Sequence, residues 1–123
     1  RLLGIATSEV QRDRFAAAQA LQARIGCTLV LKGAGSIIAS AGQPPSVICA
    51  GNPGMAVGGM GDVLTGIIAA LLAQGMAAGD AALAGALLHA VAGDAAARED
   101  GERGLLPSDL APWLRRLANP MRR

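Results

Sequence analysis

Residues 51–75 read GNPGMAVGGMGDVLTGIIAALLAQG, a glycine-dense loop that leads through one Asp into an apolar helix. The loop contains Gly51, Gly54, Gly58, Gly59 and Gly61. Because glycine has no Cβ atom, such a loop can adopt positive φ values and approach a ligand closely. The helix start adds unpaired N–H groups and the positive end of a dipole. We therefore predict an anion site, most naturally one for phosphate, beside Asp62.

Asp62 is the candidate catalytic residue of this segment. A carboxylate can take a proton from a substrate hydroxyl if phosphoryl transfer develops at the same time. The alternative is an Asp that only caps the helix after a glycine turn, and the glycine content of residues 51–66 favours the catalytic interpretation. Asn52 is a further candidate, either as a contact to phosphate or metal-bound water or as part of an Asx turn.

Two common nucleotide motifs are absent. The P-loop needs Gly-Lys-Ser/Thr at the helix start, whereas this chain has Gly-Asp-Val at 61–63. The dinucleotide fingerprint needs a third glycine where Ile38 stands. Lys32 is the only lysine and precedes a Gly-Ala-Gly-Ser turn. A cation at the end of a strand is well placed to meet a nucleotide, although a solvated strand end explains the same pattern.

The pattern along the chain predicts an α/β fold with few short strands flanked by helices and a helical C-terminal half. We expect a helix over 8–24 that opens with a Ser8–Gln11 capping box, followed by strands at 27–32, 36–39 and 46–50. Further helices are expected at 63–74, at 78–98 and from 107 onward. The helix at 63–74 is apolar nearly all round, so we expect it to be buried on most sides.

Composition excludes several classes of function. The net charge is only +2 and there is no basic cluster with aromatic residues, so nucleic acid is not an expected partner. The apolar run 63–73 is too short for a membrane span. Cys27 and Cys49 lack metal-site spacing, which indicates reduced, buried thiols and a cytoplasmic protein. His89 is interpreted as a packed core residue. Helices rich in Ala and Gly are compatible with a homo-oligomer.

Four segments together resemble the C-terminal half of the ADP-dependent NAD(P)H-hydrate dehydratases, a family of the ribokinase-like superfamily. They are VLKGAGSIIA at 30–39, the stretch 51–75, residues 88–95 and residues 101–110. The resemblance implies a partial ribokinase-like fold, with residues 1–123 forming the C-terminal part of one dehydratase domain. The N-terminal part, with upstream substrate-binding elements, is missing from this sequence, so the fragment alone is expected to be inactive.

The reaction implied by the resemblance repairs a nicotinamide cofactor. The hydrated form of NADH or NADPH is phosphorylated on its hydroxyl group by ADP, or by ATP, and elimination of phosphate restores the intact ring. Asp62 would be the base, and Asn52, Gly58, Gly59 and Gly61 would contribute to the phosphate site. The segment that would contact the adenine nucleotide consists of Lys32, Gly33, Ala34, Gly35 and Ser36. Mg²⁺ would bridge the transferred phosphoryl group, and no protein ligand for it can be named.

Two alternatives remain open from the sequence. The first is a ribokinase-like kinase that acts on a vitamin precursor or a sugar. The second is a non-catalytic nucleotide-binding fragment. The sequence leaves undecided the choice between ADP and ATP, the choice between the two hydrates, and the presence of a fused epimerase domain.

Overall fold

The computed structural model describes residues 2–119. The helices are α1 (Thr7–Arg12), α2 (Arg14–Ile25), α3 (Met60–Ala73), α4 (Ala78–Asp100) and α5 (Leu110–Leu117). The strands are β1 (Leu29–Leu31), β2 (Ser36–Ala39) and β3 (Ser46–Ile48). Two 3₁₀ turns, Pro53–Met55 and Pro107–Asp109, precede α3 and α5. The helical C-terminal half and the short strands follow the expected order.

The sheet is antiparallel, with β2 in the centre and β1 and β3 on either side. Val30 lies opposite Ile38 in the first pair, and Ile37 lies opposite Val47 in the second. Because side chains alternate along a strand, Ile37 and Ile38 point to opposite faces of the sheet. The sheet is therefore covered by helices on both sides.

Each face of the sheet packs against a different helical layer. On one face, Ile37 and Ala39 contact Ala18 of α2, and Leu29 and Leu31 extend this cluster. On the other face, a larger cluster joins the sheet to α3 and α4; it contains Ile38, Ile48, Leu64, Ala82, Ala86 and Ala90. Alanine on α4 lets the helix approach the sheet closely, and burial of these apolar groups stabilises the fold.

A third cluster fixes the start of α3. Met60, the first residue of α3, is 3% exposed and packs with Ala92 and Ala96 of α4. Leu105 and Leu110 close this cluster from the C-terminal segment. The buried methionine holds the first turn of α3 against α4, so the residues on either side of it have a defined position.

The expected helix over 8–24 is interrupted. Asp13 has φ −145° and ψ 88°, which ends α1, and its carboxylate accepts a hydrogen bond from the amide of Ala16 at 2.9 Å. Asp13 therefore caps α2, a role that side chains of this type favour. The predicted capping box at Ser8 and Gln11 was wrong, since α1 begins after Ala6 without a side-chain cap.

Two expectations about burial were also wrong. Only Met60 and Leu64 of α3 are buried, and Leu72 is 44% exposed. The helix packs chiefly against α4 and leaves the remainder of its apolar surface open. Cys27 and Cys49 are free thiols as expected, but both are exposed, and both lie outside the strands predicted to contain them.

Candidate active site

The glycine-rich segment 51–61, called the glycine loop below, ends in a left-handed turn that begins α3. Gly59 is the N-cap of α3 and has φ 92°, a conformation that residues with a Cβ atom rarely adopt. Its carbonyl oxygen accepts from the amides of Asp62 and Val63 at 3.0 and 3.1 Å. Within residues 2–119, the amides of Gly59, Met60 and Gly61 donate no hydrogen bond. These free N–H groups are the donors expected of an anion site.

Lys32 and Gly61 meet at this helix start. A Cβ atom at position 61 would collide with the ammonium nitrogen of Lys32, so glycine is what permits the side chain to lie there. The ammonium group therefore lies next to Gly61 in the first turn of α3. Asp62, the next residue, is exposed in the first turn of the same helix. One surface thus presents an ammonium group, unpaired N–H groups and a carboxylate.

Arg14 of α2 stabilises the turn at residues 32–36 through hydrogen bonds to its backbone. Its guanidinium donates to the carbonyl oxygens of Ala34 at 2.6 Å, Leu31 at 3.2 Å and Lys32 at 3.3 Å. Sequence reasoning missed this role, since Arg14 and the turn are 17–20 positions apart and no local pattern links them. Arg14 also approaches Gly33 closely, because a Cβ there would lie 2.8 Å from its terminal nitrogen.

Other polar side chains of the predicted site bond within the protein. The Ser36 hydroxyl donates to the Gly33 carbonyl at 3.2 Å, which closes the turn after β1. Asn52 accepts from the Gly54 amide at 3.1 Å, the Asx turn that was the alternative interpretation, and donates to Asp94 at 3.0 Å. Gly35 and Ala34 lie in the turn itself, and Gly58 has open space where a Cβ would stand.

His89 of α4 lies next to the start of α3. It is 9% exposed, which agrees with the interpretation as a core residue, and its Nε2 atom has no hydrogen-bond partner among the described residues. Burial lowers its pKa below the ordinary value of 6.5, a backbone hydrogen bond with Met60 opposes this shift, and the charge of Lys32 adds to the lowering. His89 is therefore neutral at pH 7 and senses the charge of Lys32.

A groove of about 380 Å³ lies beside the glycine loop. Pro53, Gly54 and Val57 line one side of it, and residues 102–106 line the other. Asp62 and Lys32 do not line this groove.

Between residues 2 and 119, no three His, Cys, Asp or Glu side chains are grouped as a metal site. Nor does this part of the chain contain a helix long and apolar enough to span a bilayer.

The family model for NAD(P)H-hydrate dehydratase matches residues 1–116. The bifunctional NAD(P)H-hydrate repair enzyme Nnr of Coxiella burnetii is 56% identical over 120 residues, which are 98% of this chain and 25% of that protein. The chain therefore spans about a quarter of the length of this relative.

Solved structures agree with the sequence comparison. The ADP/ATP-dependent NAD(P)H-hydrate dehydratase of Bacillus subtilis, co-crystallised with ATP and Mg²⁺, superposes with a TM-score of 0.90 at 30% identity. The match covers 96% of this chain and 44% of that one. A ribokinase-like superfamily protein of Enterococcus faecalis gives a TM-score of 0.75 at 36% identity, over 88% of this chain and 37% of its own. The expected partial ribokinase-like α/β fold is confirmed, and the chain belongs to the NAD(P)H-hydrate dehydratase family.

Proposed function

We propose that this chain supplies the nucleotide-phosphate site and the catalytic base of an ADP-dependent NAD(P)H-hydrate dehydratase. The observation that carries the proposal is the contact of the Lys32 ammonium with Gly61 at the start of α3, next to the exposed Asp62. Family membership supports the reaction class. The substrate would be the hydrated form of NADH or NADPH, and ADP or ATP would be the phosphoryl donor.

The charges of the site suit phosphoryl transfer. Free amides of Gly59, Met60 and Gly61 offer hydrogen bonds to phosphate oxygens, and Lys32 offers a full positive charge beside them. Hydrogen bonds that involve an ion are roughly twice as strong as those between neutral groups. We assign nucleotide binding to these donors and to the turn at residues 32–36, and we assign Gly58 and Gly59 to the close approach of the phosphate.

Asp62 has the role of general base in this proposal. Its carboxylate lies one residue after Gly61, so a hydroxyl group that attacks a phosphate held by the amides would come within its reach. Asp62 would take the hydroxyl proton as the bond to phosphorus forms and the terminal P–O bond of the donor breaks, so that ADP leaves as AMP or ATP leaves as ADP. Loss of phosphate from the resulting ester, together with a proton from the neighbouring ring carbon, would form the ring double bond and restore the dihydropyridine. The dehydratase would thus act as a carbon–oxygen lyase, and the phosphorylation step would activate the leaving group.

The donor set suits the diphosphate of a nucleotide, since the helix start carries unpaired N–H groups and Gly61 leaves room for the Lys32 ammonium beside it. Bound Mg²⁺ would neutralise charge on the phosphoryl group during transfer. The described residues offer no ready-made carboxylate cluster for this ion. Mg²⁺ commonly binds through substrate phosphates and water, which agrees with such a site.

We further propose that residues 1–123 form the C-terminal part of one ribokinase-like domain of a longer cytoplasmic enzyme. The free thiols of Cys27 and Cys49 are compatible with a reducing compartment. A homo-oligomer is also proposed, because helices rich in Ala and Gly with few charges are compatible with close packing between copies. The charge pattern favours neither a membrane nor a nucleic-acid partner.

The test is product analysis with the full-length gene product. NADH hydrate or NADPH hydrate is incubated with ADP and Mg²⁺, and two products are followed: absorbance of the reduced nicotinamide and free inorganic phosphate. We expect both to appear in equal amounts. A stable phosphate ester without recovery of the absorbance would instead indicate a ribokinase-like kinase. Nucleotide binding without either product would indicate a non-catalytic nucleotide-binding module.

A further inference from the structure

The start of the glycine loop is attached to the middle of α4 by one carboxylate. Asp94 accepts from the amide of Gly51 at 2.9 Å and from the side-chain nitrogen of Asn52 at 3.0 Å. The other end of the Asn52 amide accepts from the amide of Gly54 at 3.1 Å. Three connected hydrogen bonds therefore order residues 51–54, and they begin at a residue more than 40 positions away.

The residue next to Asp94 holds the same loop by packing. A Cβ atom at Gly93 would collide with the sulfur of Met55, so the methionine side chain rests directly on the backbone of α4. The amide of Met55 donates to the Asn52 carbonyl at 3.1 Å within the 3₁₀ turn Pro53–Met55. Two adjacent residues of α4 thus fix the loop, one by charge-assisted hydrogen bonds and one by contact.

The position of Asp94 argues against its acting as a base or as a metal ligand. Each of its oxygens accepts a hydrogen bond from the loop. In the chain from 2 to 119 it belongs to no group of side chains able to bind a metal. It is also inside α4 rather than at an end, so it does not cap that helix. The hydrogen bonds of its carboxylate go only to the glycine loop.

We propose that Asp94 and Asn52 form a positioning pair that keeps the glycine loop in the conformation that binds the nucleotide. The inference rests on the proposed function where its test measures KM, Kd and kcat with ADP. The loop leads from this pair through Gly58 and Gly59 to the free amides of α3. When a binding-competent conformation is only partly populated, the apparent dissociation constant rises by the inverse of that population. Saturating nucleotide restores the conformation, so turnover then stays nearly unchanged.

Three variants of the full-length protein test the pair: Asp94→Asn, Asn52→Asp, and both changes together. In Asp94→Asn, the side-chain amides of residues 52 and 94 face each other, and at least one of the three hydrogen bonds loses its acceptor. In Asn52→Asp, two carboxylates face each other. The double variant exchanges donor and acceptor and restores all three hydrogen bonds, with the negative charge moved to the loop. Asp100→Asn, at the exposed end of α4, is the matched control.

We expect Asp94→Asn to raise KM and Kd for ADP about tenfold, with kcat changed by less than about twofold. Asn52→Asp should have a larger effect because of charge repulsion. The double variant should return to within about threefold of the wild type, and Asp100→Asn should not change either constant. Wild-type affinity in all variants would overturn the inference. A double variant with an unchanged Tm whose KM and Kd for ADP do not return toward the wild type would also overturn it. So would a lower kcat at constant KM in Asp94→Asn.

Hydrogen exchange separates this inference from the proposed function. If the wild type binds no ADP, the proposed function fails, and exchange of the Gly51 and Gly54 amides still tests the pair. We then expect exchange at both amides to be faster in Asp94→Asn and slow again in the double variant. Equal exchange in the wild type and in Asp94→Asn would overturn the positioning role.

Discussion

Two loops meet where Lys32 lies against Gly61. A positively charged helix residue binds one of them, and a negatively charged helix residue binds the other. In the turn at residues 32–36, Arg14 of α2 binds backbone carbonyl oxygens. In the glycine loop, Asp94 of α4 binds N–H groups at the beginning of the loop. The carbonyls of the first loop are thus directed toward a protein cation, whereas the N–H groups at the end of the second remain free.

This difference leaves an excess of hydrogen-bond donors where Lys32 meets Gly61. Carbonyl oxygens that would repel phosphate accept hydrogen bonds from Arg14. The Lys32 ammonium lies next to Gly61, whose amide is free together with those of Gly59 and Met60. A surface with excess donors and positive charge attracts anions. The turn therefore contributes the cation, the glycine loop contributes the free amides, and Asp62, the next residue of α3, contributes the carboxylate.

The largest effect is expected from Asp62→Asn, which tests the carboxylate that follows the glycine loop. The amide keeps the shape of the side chain but is a far weaker base, so turnover should fall about 10²- to 10⁴-fold. Because the amides and Lys32 are unchanged, the affinity for ADP should stay within about threefold. Initial rates of NAD(P)H recovery and ADP titration measure the two quantities.

Asp80→Asn is the matched control for this change. Asp80 is likewise an exposed Asp in the first turn of a long helix, α4. Its substitution should leave turnover unaltered. Equal losses in the two variants, or full turnover in Asp62→Asn, would mean that Asp62 only stabilises the start of α3.

The next effect tests the support of the turn. In Arg14→Ala, the carbonyls of Leu31, Lys32 and Ala34 lose their donor, so the turn should become mobile and expose those oxygens to the anion. Affinity for ADP should fall about tenfold, and the free energy of unfolding by about 1–2 kcal/mol. Calorimetric titration and thermal unfolding measure both. Arg12→Ala, an exposed arginine at the end of α1, should change neither; an identical response of the two variants would remove Arg14 from the account.

The smallest effect concerns His89, which is buried and near enough to Lys32 for that charge to lower its pKa. Its folded-state pKa is lowered, so the fold prefers the neutral imidazole. The stabilising contribution is therefore complete above about pH 6.5 and is lost as pH falls below that value. The free energy of unfolding should decrease between about pH 7.5 and 5.5, and the decrease should be smaller in His89→Gln. A slope in His89→Gln equal to that of the wild type would contradict this assignment.

Local sequence signals carried much of the fold and part of the site. The order of helices and strands followed from apolar patterns, and the glycine density pointed to the loop before α3. Arg14 and Asp94 could not be found in this way, because their hydrogen bonds cross 17–20 and 42–43 positions and their local sequences are ordinary helix. Asp13 was overlooked as a cap because the apolar spacing on both sides of it resembles one continuous helix.

The central claim is that the Lys32 ammonium and the helix start at Gly61 form one anion site. Calorimetric titration of ADP into the wild type, Lys32→Met, Gly61→Ala and the double variant tests it, with Gly66→Ala, which has open space on α3, as control. We expect each single change to weaken binding about 10- to 100-fold. Since a Cβ at position 61 acts by displacing the ammonium, the double variant should bind no more weakly than Lys32→Met. Losses that add in the double variant, or ADP affinity unaffected by Lys32→Met, would contradict the account.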